Sequence, residues 1–255
     1  MTIDIQALIE QRPHLRDPLE LYAGWQRFQN KMSELLRQEG SSLSPEDSRA
    51  YPRDSVGPVM QLFASVFDLP GEELAPLGRA MEDGTIDFMR LPLDEIPDLS
   101  LPYAEGELAS ILFLLGRPYF FALREACLLD GRQWEDGRCP LCSARPALTS
   151  IAEGPRRSLH CSYCGTVGSY RFMGCPNCGT TDTTKLSTLV PEGEPGFRVV
   201  TCDSCRTYVK VMEGSLLLEM TTDLADMASL PLDIVAQEKG YVRRAPNPIG
   251  LTMME

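Results

Sequence analysis

The sequence predicts an α+β protein in which a helical N-terminal domain precedes two metal-binding β modules and a C-terminal helix. Three observations support this fold class. Apolar residues recur at helical spacing in the first half, short β-prone segments occupy 138–212, and that region holds eight of the nine cysteines as four Cys-x-x-Cys pairs. The predicted division is a helical domain over 1–135, one four-cysteine ribbon over 136–172, a second over 173–213, and a C-terminal helix with an extended tail over 214–255.

The clearest helix in the first region is predicted to begin at Asp17. Asp17 is a suitable N-cap, Pro18 suits the first helical position, and Glu20 is placed for a capping box. One face of this helix carries an apolar stripe made of Leu21, Trp25, Phe28, Met32, Leu35 and Leu36. Weaker helical patterns cover 58–68, 71–82, 105–116 and 118–130.

The most apolar segment, residues 108–129, is interrupted by Gly116-Arg117-Pro118. The interruption predicts two buried core helices, each too short to cross a bilayer, so membrane insertion is not expected. The N-terminus lacks the basic start and apolar run of a signal peptide. We therefore expect a cytoplasmic protein with reduced thiols.

Composition disfavours several classes of function. The chain has a net charge of −12, which opposes general attraction to nucleic acid or anionic membranes. His14 and His160 are its two histidines, and neither lies in a recognisable catalytic motif. The residues therefore disfavour a hydrolase, and they give no indication of self-association.

The β-prone region carries nine basic and five acidic residues, although the whole chain is acidic. We interpret the basic excess as compensation for thiolates bound to two divalent ions. In the C-terminal segment, Thr222 or Asp223 is the predicted cap of a helix that Pro231 breaks or kinks.

The spacing of the cysteine pairs is typical of tetrathiolate metal sites of the zinc-ribbon or rubredoxin type. The gaps between successive pairs are 18, 10 and 23 residues, and each longer gap contains a predicted hairpin. Pairing in chain order predicts a first site from Cys139, Cys142, Cys161 and Cys164, and a second from Cys175, Cys178, Cys202 and Cys205. Interleaved pairing is the alternative, and it would thread the two ribbons through each other.

Residues beside the pairs add detail. Gly165 and Gly179 directly follow their pairs, where the knuckle demands a positive φ, and Ser143 or Arg206 takes that position in the others. His160 is a possible replacement ligand, although a supporting role is the simpler interpretation. Cys127 lies in an apolar helical context that predicts a buried, inert thiol. Soft thiolates suit both zinc, which would be structural, and a single iron, which would be redox-active.

The ordered motifs "RCPLC", "HCSYCG", "CPNCG" and "TCDSCRTYVKV", followed by "DLADMASLPLDIVAQEKGYVRRAPNP", resemble the formate dehydrogenase accessory protein family FdhE. The resemblance is clear from about 138 to 248 and general over the helical half. It implies a helical domain with two rubredoxin-like ribbons and iron binding at the eight paired cysteines. It further implies a cytoplasmic assembly factor, not an enzyme, that acts on the catalytic-subunit precursor of respiratory formate dehydrogenase.

The chain departs from the family pattern in two places. Family members commonly carry an aromatic residue, often Trp, shortly after the second knuckle, where this chain reads "GTVGSY", and Pro231 interrupts a helix that is usually continuous. Two other functions compete with assembly. A nucleic-acid-binding zinc ribbon would use a basic patch formed by Arg156, Arg157, Arg171, Arg198 and Lys210, and a thiol–disulfide enzyme would need a βαβ setting that the pattern lacks.

Overall fold

The structure is a computed structural model that describes residues 4–38, 51, 53–93, 102–127, 132–152, 156–247 and 249. Helices occupy the first half, a mixed sheet follows, and two short helices pack on that sheet. The predicted α+β fold class is confirmed. The helices of the first half are α1 (Ile5–Gln11), α2 (Arg16–Gln38), α3 (Arg53–Phe67), α4 (Gly71–Glu82) and α5 (Glu105–Cys127).

The start of α2 differs from the prediction. A 3-10 turn over Pro13–Leu15 runs directly into the helix, and the Arg16 backbone N–H donates to the Pro13 carbonyl. Asp17 therefore lies in the first turn and is not the N-cap. The apolar stripe is also rotated slightly, because Leu19 and Tyr22 are buried whereas Leu21 and Leu35 are half-buried.

The predicted pair of helices around Pro118 is wrong, because α5 is continuous. Leu115 and Tyr119, on the two sides of the interruption, are completely buried, and packing on both sides of Pro118 offsets the hydrogen bond that the proline removes. By length and composition α5 could cross a membrane, so the prediction of two helices that are each too short to do so is wrong. Its apolar window is 67% buried inside the protein, which is typical of a core helix.

Within the described residues, seven strands form one sheet. In chain order they are β1 (Pro146–Ile151), β2 (Arg157–Cys161), β3 (Val167–Tyr170), β4 (Leu186–Leu189), β5 (Phe197–Cys202), β6 (Thr207–Glu213) and β7 (Val242–Arg243). Their spatial order is β3-β2-β1-β6-β5-β4, and β7 also pairs with β6. Strands within each ribbon are antiparallel, but β1 and β6 pair in parallel, with Leu148 opposite Lys210. The two ribbons are thus joined edge to edge.

Two hydrophobic clusters underlie this arrangement. The larger one combines side chains of the helices with residues of the first ribbon, including Leu159 and Tyr163. The smaller one lies mainly around the second ribbon and includes Val199, Tyr208 and Leu232. The first ribbon therefore shares its core with the helices, and the division of the chain into four domains stays a prediction.

The C-terminal segment forms two helices, α6 (Thr222–Ala228) and α7 (Leu230–Glu238). The cap of α6 is Thr221, one residue before the predicted candidates, and its side chain accepts a hydrogen bond from the Leu224 N–H. Pro231 lies in the first turn of α7, where its missing N–H removes no helical hydrogen bond. The break predicted at this proline is therefore the junction between two helices.

A buried charge network connects these helices to the sheet. Lys210 Nζ lies 2.7 Å from Asp226 Oδ1 and 2.6 Å from Asp233 Oδ2. Arg243 Nη2 lies 2.7 Å from Asp226 Oδ2, and its Nη1 lies 2.8 Å from Asp233 Oδ1. The Tyr208 hydroxyl also donates to Asp233 Oδ1 at 2.7 Å. Lys210 thus pairs with carboxylates, so our interpretation of the basic excess as compensation for thiolates fails for this residue.

Replacing Lys210 by Met is expected to lower the free energy of unfolding by about 3–5 kcal/mol, because two buried carboxylates would then share one cation. Denaturant unfolding of the metal-loaded protein measures this loss. Lys185→Met makes the same change at an exposed side chain and is expected to cost less than about 0.5 kcal/mol. Equal losses in the two variants would contradict a stabilising role for the network.

Candidate metal centres

The four Cys-x-x-Cys pairs form knuckles with a shared backbone pattern. In the first, the Cys139 N–H donates to the Ala144 carbonyl at 2.9 Å and the Ser143 N–H donates to the Cys139 carbonyl at 2.8 Å. The pairs that begin at Cys161 and Cys175 repeat both bonds. In the last pair, Cys202 lies opposite Thr207 in the β5–β6 ladder. Each knuckle therefore turns the chain while directing two sulfurs to one side.

The residue directly after each pair has a positive φ. The φ angles are 67° at Gly165 and 76° at Gly179, as predicted, and 63° at Ser143 and 55° at Arg206. This left-handed conformation costs little for glycine but is unfavourable for Ser and Arg. At Gly165 there is a second constraint, because an added Cβ would lie 2.7 Å from the Phe121 ring of α5. The second knuckle therefore packs directly on the helical region.

The eight paired cysteines come together as two groups of four, in the sequential arrangement and not the interleaved one. In the first centre, Sγ–Sγ distances are 3.4 Å between Cys139 and Cys164, 3.4 Å between Cys142 and Cys161, and 3.8 Å between Cys142 and Cys164. All four sulfurs lie within 4.8 Å of one another, and all four residues are buried. Metal binding itself stays a prediction.

The second centre is more open. Its Sγ–Sγ distances are 3.8 Å between Cys175 and Cys205 and 3.8 Å between Cys178 and Cys202. Cys175 and Cys202 are buried, but Cys178 is exposed and Cys205 is half-buried. At least one cysteine of this centre is therefore exposed to solvent.

Both groups fit a tetrahedral ion. Four sulfurs about 2.3 Å from a central zinc would lie about 3.8 Å apart, close to the distances in both centres. A threonine supports one sulfur in each, since the Thr166 hydroxyl lies 3.0 Å from Cys164 Sγ and the Thr207 hydroxyl lies 3.0 Å from Cys205 Sγ. The chemistry of the donors and their spacing therefore suit a divalent metal with thiolate ligands.

The thiols also show why such a centre would need its cation. Burial raises the pKa of Cys142, Cys161 and Cys175 above the ordinary thiol value. Hydrogen bonds from the neighbouring thiols, that of Cys142 first, instead lower the pKa of Cys139. The three thiols with a raised pKa would stay protonated at neutral pH by themselves. A bound cation stabilises the thiolates and displaces their protons, so metal binding and folding are coupled.

His160 and Cys127 lie outside the two sulfur clusters. The His160 imidazole is buried between the Ser150 hydroxyl, 2.8 Å from Nε2, and the Thr222 hydroxyl, 3.1 Å from Nδ1. Desolvation lowers its pKa to about 4. The supporting role predicted for His160 agrees with these contacts. Cys127 is half-buried at the end of α5, so the prediction of a fully buried thiol is wrong.

Three contacts around the centres were missed by sequence reasoning. Arg124 of α5 donates to the Gly165 carbonyl at 2.8 Å. Trp134 occupies the space beside Gly168, where an added Cβ would lie 2.2 Å from the indole ring. The threonines at 166 and 207 follow the pattern Cys-x-x-Cys-x-Thr, which is visible in the sequence at three of the four pairs.

The basic patch of the nucleic-acid alternative is weakened by burial. Lys210 is completely buried in the charge network, and Arg157 is buried with its Nη1 donating to the Gly174 carbonyl at 2.8 Å. Two of the five residues of the proposed patch are therefore removed from the surface.

Comparisons with known proteins agree in pointing to one family. The family described as "FdhE, C-terminal domain" matches residues 173–249. A "Protein FdhE homolog" from Haemophilus influenzae is 34% identical over 224 residues, which cover 82% of this chain and 71% of that protein. One from Aquifex aeolicus is 24% identical over 76% of this chain and 70% of its own length. One from Shewanella oneidensis is 34% identical over 116 residues, which cover 44% of this chain and 37% of that protein.

A similar fold is found in the crystal structure of the FdhE protein from Pseudomonas aeruginosa. The TM-score is 0.64 at 24% sequence identity, and the match covers 96% of this chain and 92% of that one. This likeness supports the fold over nearly the whole chain.

Replacing Cys139 by Ser is expected to remove one metal equivalent and to leave the second centre loaded, because no sulfur is shared between the two groups. Elemental analysis of the purified protein measures the metal content. Cys127→Ser, outside both groups, is the control and should retain the full content. Loss of both metals from Cys139→Ser, with the helices still folded, would contradict independent centres.

Metal is expected to leave the second centre faster than the first, because a chelator can attack at the exposed Cys178 whereas the first centre is enclosed. Release into a chromogenic chelator should show two phases. The slow phase should be missing from Cys139→Ser, and the fast phase from Cys178→Ser. A single shared rate would show that burial does not control release.

Proposed function

Since the chain belongs to the FdhE family, we propose that it is an accessory protein for the assembly of formate dehydrogenase. In this proposal its partner is the precursor of the catalytic subunit of a respiratory formate dehydrogenase, bound in the cytoplasm before export. The chain itself would not turn over formate. The observation that carries the proposal is the coincidence of family membership with two four-sulfur clusters in one sheet.

In this proposal each centre holds one metal ion through its four cysteines. Zinc would contribute structure, whereas iron would add one-electron redox chemistry; the soft thiolate set suits both. The metal content and visible spectrum of protein purified without oxidation distinguish them. A colourless protein with two zinc ions would favour a structural role, and a red protein with thiolate-to-iron charge transfer would favour a redox role.

The partner-binding surface is proposed to include the linker between the two centres. Phe172 and Met173 lie there with 42% and 50% of their surfaces exposed, three and two residues before Cys175. Exposed large apolar side chains at a polar surface are common at protein–protein contacts. Because they directly precede the first knuckle of the second centre, we expect loss of that metal to alter this surface.

The assembly role predicts that deleting the gene abolishes formate oxidation while the transcript of the catalytic subunit persists. Binding to the catalytic-subunit precursor is expected to weaken when Cys175 and Cys178 are replaced by Ser, because the second ribbon loses its metal. Pull-down of the tagged precursor measures this effect, with Cys127→Ser as the matched control. Normal formate oxidation in the deletion strain, with no second copy of the gene, would overturn the proposal.

A further inference from the structure

A polar cleft of about 550 Å³ lies between the helical region and the first ribbon. It is bounded by α2, α5, the second knuckle and the start of α6. Gln29, Arg117, Asp223 and Arg124 all line it, and we call the buried Gln29 and Arg117, with the Asp223 that pairs with Arg117, its floor. Clefts of this size between packed units are common positions for ligand binding.

The floor contains buried polar groups that lack partners. Gln29 is 7% exposed, and within the described residues neither its amide oxygen nor its amide nitrogen has a hydrogen-bond partner. Arg117 is 1% exposed, and its Nε and Nη1 likewise lack partners there. Buried polar groups in proteins are nearly always satisfied. This concentration of unpaired groups, most of them donors, indicates a site for an acceptor-rich ligand.

The inner part of the cleft, formed by Arg117, Arg124 and Asp223, has two guanidinium groups and one carboxylate. Arg117 Nη2 is paired with Asp223 Oδ2 at 2.7 Å. Arg124 has no carboxylate within ion-pair distance in the described part of the chain, and its Nη1 donates to the Gly165 carbonyl. The guanidinium carbons of Arg117 and Arg124 lie 4.6 Å and 5.3 Å from the centre of the same Phe121 ring. Two guanidinium groups therefore lie beside the Phe121 ring, and within the described residues one of them forms an ion pair with a carboxylate.

Other charged groups do not offset this excess of cation. Glu34 and Glu125 also line the cleft but lie at its exposed rim, so the excess of cation is confined to the inner part. His160 faces the cleft from the first ribbon, and its Nδ1 is within hydrogen-bond distance of the Thr222 hydroxyl. An anion would therefore bind most favourably at the floor of the cleft.

We propose that this cleft binds a carboxylate group, carried by an acidic peptide segment or by a small organic acid. The carboxylate would accept hydrogen bonds from Arg124, Arg117 and Gln29, since charge-assisted bonds to arginine are strong and directional. Gln26 and Asn30 lie on the same face of α2, one turn apart, and their amides can pair with the rest of the ligand. The inference does not rest on the assembly role.

Two pairs of probes separate the possible sources of the carboxylate. The first pair is acetyl-Gly-Gly-Glu-Glu-Gly-Gly-amide and the corresponding peptide with Gln at both Glu positions. The second pair is citrate and its uncharged trimethyl ester. Binding to the metal-loaded full chain is measured by titration calorimetry and by tryptophan fluorescence, because Trp25 stacks on Arg117 at 4.2 Å.

Arg124→Gln is expected to weaken binding about tenfold or more, because it removes the guanidinium group that forms no ion pair with a carboxylate of the described residues. Arg138→Gln is the matched control. Arg138 also donates to a knuckle carbonyl, that of Ser143 at 2.8 Å, but it lies outside the cleft. Gln29→Met removes the buried amide at similar volume and should also weaken binding. Metal content and circular dichroism of all three variants separate a loss of binding from a loss of folding.

Binding of the Glu peptide but not the Gln peptide, with the loss confined to the two cleft variants, would support a peptide ligand. The same pattern for citrate alone would support a small acid. The proposal is overturned if neither carboxylate probe binds at millimolar concentration, if the uncharged probes bind equally well, or if folded Arg124→Gln binds as tightly as Arg138→Gln.

Discussion

The arrangement of the C-terminal half depends on the buried charge network of Lys210, Asp226, Asp233 and Arg243. Buried charges are tolerated only when they are paired in good geometry, so these four residues fix the relative positions of the elements that carry them. Lys210 lies on β6, the two aspartates on α6 and α7, and Arg243 on β7. Since β6 is the strand that pairs with both β1 and β5, the network holds the C-terminal helices at the junction of the two ribbons.

The parallel pairing of β1 with β6 brings the two metal centres to the same end of the sheet. The first knuckle directly precedes β1 and the last directly precedes β6, so parallel strands place both knuckles at their shared starting edge. Contacts between the centres follow from this arrangement. Arg145 donates to the Pro176 carbonyl at 3.2 Å, and at Gly137, where φ is 65°, an added Cβ would collide with that same carbonyl. A partner that approaches this end would meet both centres together.

Local patterns in the sequence predicted the fold class, the β-prone region and the grouping of the cysteines, because knuckles and hairpins are determined by residues close in the chain. Features that depend on distant partners were missed. The parallel junction has no local signal, and neither does the close approach of Trp134 to Gly168 of β3. The continuity of α5 through Pro118 depends on burial against other helices, which periodicity does not reveal. Arg124, Gln29 and Asp223 are far apart in sequence, so their convergence beside the first centre was also hidden.

The different surroundings of the two centres suggest different physical roles. The first centre lies in the core shared with the helices, where Tyr163 packs edge-on against Phe113 and Phe120 and where Gly165 leaves no space beside Phe121. Movement of α5 would therefore strain this centre, and loss of its metal would loosen the contact between the helices and the sheet. The second centre lies at the margin, with Cys178 exposed, and loss of its metal would leave the core of the first-half helices intact, although α7 packs on the same ribbon. One chain thus combines an anchored centre with an accessible one, because only the first ribbon shares its core with the helical region.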